Sequence, residues 1–184
     1  DRIERDVLEP GELKAFLEVH IEQGAILDEE GVDIGVVEGI VGIRQWEVTV
    51  SGVANHAGTT PMNKRHDALL AAAKLVQAVN GTAVKTPGRH VATVGRIRAF
   101  PGAPNVIPGR VQMSVEIRDL ESAKIDGLFE LVKNAAKKIA KDAGVSIEFE
   151  LLNVASEPAL TDESVRAKVA ASAEALGLTR KFMP

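Results

Sequence analysis

The sequence predicts an α+β fold, a two-layer sandwich of ferredoxin-like type in the order β-α-β-β-α-β over residues 42–154. Three observations carry that prediction. Around Trp46, Val115 and Phe149, apolar residues alternate with polar ones, the period of a half-buried strand. Two longer stretches repeat apolar residues at helical spacing. Their order leaves one sheet with an apolar face and two helices to cover it.

Taken along the chain, Leu17, Val19 and Ile21 alternate with Glu18, His20 and Glu22, while Leu13, Phe16 and His20 also fit a helix. A short helix near Pro10 to Lys14 followed by a strand reconciles the two patterns. Asp28-Glu29-Glu30-Gly31 reads as an exposed turn, and Val36 to Ile43 as an apolar strand broken by glycines. Trp46, Val48 and Val50 then mark the first strand of the sandwich. Ala68, Leu69, Ala72, Leu75, Val76 and Val79 mark a helix ending near Asn80-Gly81. Val91 to Phe100 is a strand, followed by a loop over residues 101–109. Val111, Met113, Val115 and Ile117 alternate in the next strand. Ile125, Leu128, Phe129, Val132, Ala136 and Ile139 form a second helix closing at Gly144, and Val145, Ile147, Phe149 and Leu151 form the last strand. Thr161 is the expected cap of a final helix striped by Val165, Val169 and Leu176, with Gly177 ending it. Residues 1–41 and 155–184 are therefore assigned to a different unit from the sandwich, with a boundary near Glu157-Pro158.

Composition limits the classes of function. The 184 residues are 45% hydrophobic and 26% charged, enough to bury a core, and the aromatic share of 3% leaves packing to Val, Ile, Leu and Ala. A formal charge of -4 lacks the basic stripe of a nucleic-acid binder, and such a sheet would also lack the aromatics that stack on RNA bases. Without cysteine there is no disulfide, thiolate metal site or thiol nucleophile. No apolar run reaches membrane-spanning length and no signal-peptide pattern opens the chain, so the expectation is a cytoplasmic protein with neither membrane nor nucleic-acid partners. The chain starts at Asp1 inside a charged helix-like run and stops at Pro184 with no tail, which leads to the expectation of a piece of a longer protein.

Polar residues in rigid loops and at element ends are the candidates for chemistry. His56 lies in Gly52-Val53-Ala54-Asn55-His56-Ala57-Gly58-Thr59-Thr60-Pro61-Met62, between a strand and a helix, where small residues admit a ligand or another backbone. The alternative is an incidental histidine in a turn. His20, in His20-Ile21-Glu22-Gln23-Gly24, reads either as a metal ligand beside carboxylates or as a partly buried strand histidine with a hydrogen-bond partner. Asn105 sits between Pro104 and Pro108 and is bracketed by Gly102 and Gly109, a way to aim an amide or simply to stiffen a hairpin. Arg118, ending a strand, is a carboxylate clamp or an exposed partner of Glu116 or Asp119. Glu29-Glu30 reads as solvated charge, Lys133, Lys137, Lys138 and Lys141 as the wet face of a helix, and His66 and His90 as surface residues. No Walker or Rossmann fingerprint is present.

These stretches occur together and in order: residues 16–24, then Val37-Glu38-Gly39-Ile40-Val41-Gly42, then residues 54–62, then Pro101-Gly102-Ala103-Pro104-Asn105-Val106-Ile107-Pro108-Gly109 and Ile117-Arg118-Asp119. In this the chain closely resembles the two-metal amidohydrolases that include N-carbamoyl-L-amino-acid hydrolase, allantoate amidohydrolase and β-ureidopropionase, relatives of the dinuclear zinc exopeptidases. The resemblance spans essentially the whole chain. It implies a zinc-binding catalytic domain interrupted by a β-α-β-β-α-β lid that carries a homodimer interface. It implies further that His20 is a ligand of one metal and Gln23 a substrate contact beside it. His56 would reach the partner subunit's site to hydrogen-bond the scissile carbonyl, and Asn105 and Arg118 would hold the substrate carboxylate. The cofactor it implies is a pair of divalent ions, zinc first, with manganese, cobalt or nickel as alternatives.

The family's other ligands and its general-base glutamate have no counterpart in these residues, and Glu29-Glu30 lies in the wrong place to be that base. The expectation is thus a hydrolase of N-carbamoyl-L-amino acids or an allantoate-like ureide, of which this stretch alone is an inactive lid with parts of the catalytic domain. An aminoacylase or dipeptidase of the same clan and a non-catalytic dimerisation module are the alternatives.

Overall fold

The computed structural model describes residues 8–9, 11–152 and 156–184. The chain divides into two compact units, one formed by the described residues up to Glu38 with Thr161–Pro184, the other by Gly39–Leu160. The charged run expected at residues 1–7 and the expected boundary at 154–155 lie outside the described residues.

In chain order the elements are α1 (Ile26–Glu30), β1 (Ile34–Val37), β2 (Gly39–Ile40), β3 (Gly42–Ser51), β4 (Asn55–His56), α2 (Ala68–Lys85), β5 (Val91–Thr93), β6 (Ile97–Phe100), β7 (Val106–Ile107), β8 (Arg110–Asp119), α3 (Ser122–Ala143), β9 (Ser146–Leu151), β10 (Ala159–Leu160), α4 (Glu163–Ala175) and β11 (Arg180–Met183). It is a mixed α/β chain with several sheets.

The larger unit is built on an antiparallel sheet of order β5-β8-β3-β9, with β6 pairing the same edge of β8 as β5. Along β8 the alternation falls as the sequence sets it: Val111, Met113, Val115 and Ile117 are buried and their neighbours are partly exposed. On β3 the buried set is Trp46, Val48 and Val50. Helix α2 lays Ala68, Ala71, Ala72, Leu75 and Val79 on that face, and α3 lays Ile125, Leu128, Val132 and Ala136 beside them. Each Val, Leu, Ile or Met side chain so buried stabilises the fold by about 1.5–3 kcal/mol, and each alanine by less. Aromatics are concentrated at one point, where Phe129 stacks on Trp46 with centroids 3.8 Å apart and meets Phe149 edge-on at 5.4 Å. The opposite face of the sheet carries Gln45, Glu47, Ser114, Glu116 and Arg118.

Several local expectations need correction. Helix α2 runs through Gly81 to Lys85, because Gly81 does not take the left-handed φ with which a glycine ends a helix. It stops where Pro87 forces Thr86 into an extended conformation (φ -87, ψ 123). The 91–100 strand is two pieces, with the Ser114 N–H donating to the Arg96 carbonyl in the gap between them (3.0 Å). His90 is buried, not a surface residue: its Nε2 lies 3.0 Å from the Ala83 carbonyl, and its Nδ1 lies 4.0 Å from Asp119.

In the smaller unit, β1 pairs in parallel with β11, and Val36, Ala170 and Ala173 are buried. Asp33 and Thr179 exchange three hydrogen bonds at 2.7–2.9 Å where those strands begin. Asp162, not Thr161, caps α4 by accepting from Val165 N–H at 3.0 Å, while the Thr161 hydroxyl donates to the Val37 carbonyl. The 28–31 turn is the end of a short helix, closed by Gly31 at φ 63. The strand expected over 17–21 does not form. Pro10 lies outside the described residues, Gly11–Lys14 make turns and bends, and residues 15–22 have no regular structure. Phe16, Leu17, Val19 and Ile21 all stand exposed, Val19 fully so. An alternating pattern only selects which side chains share a face; a strand also needs a neighbour to take its backbone hydrogen bonds.

Candidate functional site

The groups singled out by sequence fall in three places. The first is a ribbon within the larger unit. Strand β3 ends at Ser51, and Gly52 passes so close to the chain ahead of α2 that a Cβ there would lie 2.1 Å from the His66 carbonyl oxygen. The chain then turns into β4, whose His56 pairs in register with Val106 of β7. Ala57 N–H donates to the Asn105 carbonyl at 2.9 Å, and Ala68 N–H donates to the Pro108 carbonyl at 3.1 Å, so the 101–109 loop is tied both to the ribbon and to the start of α2. His56 and Asn105 are thereby brought together, both exposed.

The state of the His56 ring follows from its neighbours. Gly58 N–H donates to Nδ1 at 3.1 Å, so Nδ1 accepts and the proton of the neutral ring is on Nε2. That is the form of imidazole able to donate to an oxygen. Gly58 packs closely under the imidazole, where an added Cβ would approach the ring's Cε1 to 3.1 Å. Beneath the ribbon, Arg65 donates through Nη2 to the Ala57 carbonyl (2.8 Å) and the Thr60 carbonyl (2.9 Å), and through Nε to Thr60 (3.0 Å). The Thr60 amide and hydroxyl donate to the His56 carbonyl.

The second place is the other end of the same sheet. Arg118 pairs in register with Ile43, while the ribbon follows the Ser51–Arg110 end. Eight residues of strand separate Arg118 from Arg110, about 27 Å at strand rise. Within one protomer Arg118 therefore does not join Asn105 around a single carboxylate. Its Nε donates to Glu116, whose other oxygen accepts from Gln45. Burial pushes the Glu116 carboxyl up, but the hydrogen bonds from Arg118 and Gln45 and the guanidinium charge outweigh it, and the net is a value below the ordinary one. A shallow depression of about 430 Å³ lies beside this pair, lined by Gln45, Thr93, Gly95, Arg96, Ser114, Glu116 and Leu152. It contains none of the predicted side chains.

The third place is the exposed 20–24 segment of the smaller unit. His20 Nδ1 lies 2.6 Å from the Ile21 carbonyl, which only accepts, so Nδ1 carries the proton and Nε2 keeps its lone pair. This is the tautomer of a metal-bound histidine, but the expected buried strand around it is absent. Glu22 is engaged with main chain, its two carboxylate oxygens accepting from Ile26 N–H and Leu27 N–H at 2.8 and 2.9 Å. Gly24 makes room for that carboxylate, which a Cβ would approach to 2.6 Å. Gln23 is exposed and adopts φ 58, the one non-glycine with positive φ among the described residues. Among the described residues no three His, Cys, Asp or Glu side chains gather closely enough to hold a metal ion. One imidazole does not fit a two-ion centre by itself.

Sequence reading missed Arg65 and Glu22. Both act on backbone atoms brought near by turns, and no spacing rule marks such a contact in advance.

A domain with helices on one face of its sheet, a polar opposite face and an imidazole raised on a ribbon at one end offers functional groups outward. Residues 39–144 match the family described as the peptidase dimerisation domain (M20_dimer), and the chain belongs to that family. It is 36% identical over 184 residues to the N-carbamoyl-L-amino acid amidohydrolase of Geobacillus stearothermophilus, covering 100% of this chain and 44% of that protein. To the allantoate amidohydrolase of Escherichia coli it is 34% identical over 140 residues, covering 76% of this chain and 34% of the relative. The structure of a hydantoinase/carbamoylase-family amidase from Burkholderia multivorans superposes with a TM-score of 0.85 at 35% identity, covering 89% of this chain and 40% of that one. The chain thus spans less than half the length of these relatives. No helix among the described residues is long and apolar enough to cross a membrane.

Proposed function

We propose that the complete protein hydrolyses a linear carbon–nitrogen bond of an N-carbamoyl-L-amino acid or an allantoate-like ureide, and that residues 42–154 are its lid and dimerisation domain. The observation that carries the reading is the exposed ribbon on which His56, in its Nε2–H form, lies beside Asn105. The likeness to amidohydrolases of this substrate class over the whole chain supports it. A ferredoxin-like sandwich is supported by the antiparallel order β5-β8-β3-β9 with both helices on one face.

In this reading His56 Nε2–H donates to the carbonyl oxygen of the scissile group as negative charge develops there. Asn105 and Arg118 bind the substrate carboxylate, which converts affinity into orientation. Because Arg118 stands a sheet's length from the ribbon, one substrate meets all three only across two protomers, with His56 and Asn105 from one and Arg118 from the other. The edge on which a second copy docks is β5–β6. Val91 and Ile97 are exposed there, whereas the opposite edge strand, β9, carries Glu148 and Glu150 ahead of its exposed Leu151. His20 would supply one ligand of a two-metal centre, and Gln23 a substrate contact beside it, with the other ligands drawn from the rest of the protein. The exposed apolar side chains of residues 16–21 are what a strand of that larger catalytic domain would bring to its sheet.

The test is complementation in the complete protein. A His56→Ala variant and an Arg118→Ala variant, each nearly inactive alone, are mixed and allowed to exchange subunits. Hybrid dimers regain one intact site, and the activity returns in part. Absence of recovery after verified exchange rejects the two-protomer site. Turnover of N-acyl but not N-carbamoyl substrates moves the assignment to an aminoacylase or dipeptidase. The 184-residue chain alone is expected to be inactive and to bind no stoichiometric zinc, which metal analysis and an activity assay check directly.

A further inference from the structure

We propose that Arg65 is the positioning residue of His56: its guanidinium holds the 56–60 turn so that Gly58 N–H meets the imidazole Nδ1 and the ring proton stays on Nε2. The inference rests on the reading of His56 as the donor to the scissile carbonyl. Arg65 spends its donors on main chain alone, two on the Thr60 carbonyl and one on the Ala57 carbonyl at 2.8–3.0 Å. Those two oxygens lie three residues apart and bracket the Gly58 amide. A planar fork can bridge them; an ammonium on a flexible stem cannot hold the same geometry.

Thr60 closes the two ends of the turn through its amide and hydroxyl on the His56 carbonyl, and between those ends the Ala57–Gly58 peptide is fixed by Arg65. Ala57, Gly58 and Thr59 have small side chains, and the imidazole's one hydrogen bond in the turn, from Gly58 N–H, is 3.1 Å long. Ala57 is also the joint with the other arm of the ribbon, its N–H donating to the Asn105 carbonyl at 2.9 Å. The guanidinium thus grips the carbonyl of Ala57, in the peptide that carries the Gly58 N–H, while the N–H of the same residue, in the peptide before it, ties the ribbon to Asn105. With that grip released, the Gly58 amide is free to turn away from Nδ1, and the neutral ring is no longer restricted to one tautomer.

Two measurements decide it. In the 184-residue chain labelled with ¹⁵N-histidine, which has four histidines, the His56 ring at a pH of about 8 gives the signature of the Nε2–H form. In Arg65→Ala and Arg65→Lys it becomes a mixture, and hydrogen exchange at the Gly58 amide accelerates. In the complete protein, Arg65→Ala lowers kcat about 100-fold with KM little changed. In a His56→Ala background the same substitution changes kcat less than about twofold, because the two residues act as a unit. A His56 ring that keeps its tautomer, with an unchanged Gly58 amide, in both Arg65 variants overturns the proposal; Arg65→Lys supplies this readout if Arg65→Ala fails to fold. An undiminished Arg65→Ala effect in the His56→Ala background overturns it too. If His56→Ala leaves kcat intact, the donor role of His56 fails instead, and the ring spectrum still decides whether Arg65 holds it.

Discussion

The two ends of the larger unit's sheet present polar groups by different means. At the Ser51–Arg110 end, His56 and Asn105 are placed by main-chain hydrogen bonds: Gly58 N–H to the imidazole, Ala57 N–H to the Asn105 carbonyl, and the Arg65 guanidinium to two carbonyls. At the Gly42–Asp119 end, Arg118 is placed by side chains, through Glu116 and then Gln45. Main-chain placement needs close backbone approach, and so it needs glycine at position 52. Side-chain placement needs no glycine, but it depends on a carboxylate that titrates. The first end should therefore be sensitive to added volume and the second to acid.

The largest effect expected is that of His56→Ala in the complete protein, a loss in kcat of about 10²–10³-fold with unchanged folding, since the side chain is exposed. Steady-state kinetics beside a thermal melt checks both halves. A comparable loss of stability sharpens the contrast from the other direction: Gly52→Ala should cost about 3 kcal/mol, because its Cβ would meet backbone rather than a movable side chain. Denaturant unfolding measures it, and a near-neutral result would show that the ribbon tolerates displacement. Arg118→Lys should raise KM about tenfold while lowering kcat less, as a bidentate clamp becomes a point charge. Equal losses in kcat and kcat/KM would instead place Arg118 at the reacting atoms.

The smallest effect is the pH dependence of the Arg118 end. Glu116 has a carboxyl below its ordinary value in the folded chain, so its contribution is present above the unfolded carboxylate range of about 4 and is lost as pH falls through the lower folded value. Glu116→Gln should lower the melting midpoint slightly at neutral pH, where the contribution is present, and flatten its dependence on pH in that acidic window. The pair is partly solvent-exposed, so the shift is small. A variant that melts with the same acid profile as the parent would remove Glu116 from the account.

Much of the larger unit was legible in its sequence. The alternation along Val111–Ile117 and the stripes Leu75–Val79 and Ile125–Val132 name the buried face directly, because burial side and period are tied by strand and helix geometry. Where the reading failed, a partner was missing from the rule. His90 looked like a surface residue because nothing nearby in sequence hints at Ala83 and Asp119 closing around it. Residues 17–21 looked like a strand because alternation says nothing about whether a neighbouring strand is there to receive the hydrogen bonds.

The site divides along the same line. The motifs around His56, Asn105 and Arg118 identified which residue types offer hydrogen bonds, and the glycines and prolines beside them marked rigid loops. That Asn105 belongs with His56, and that Arg118 stands at the far end of the strand from both, is a matter of register: Ile43 opposite Arg118, His56 opposite Val106. Local pattern fixes which face a side chain takes, since that depends only on the chain's own period. Which side chains meet depends on pairings between segments tens of residues apart, and those are decided only when the sheet closes.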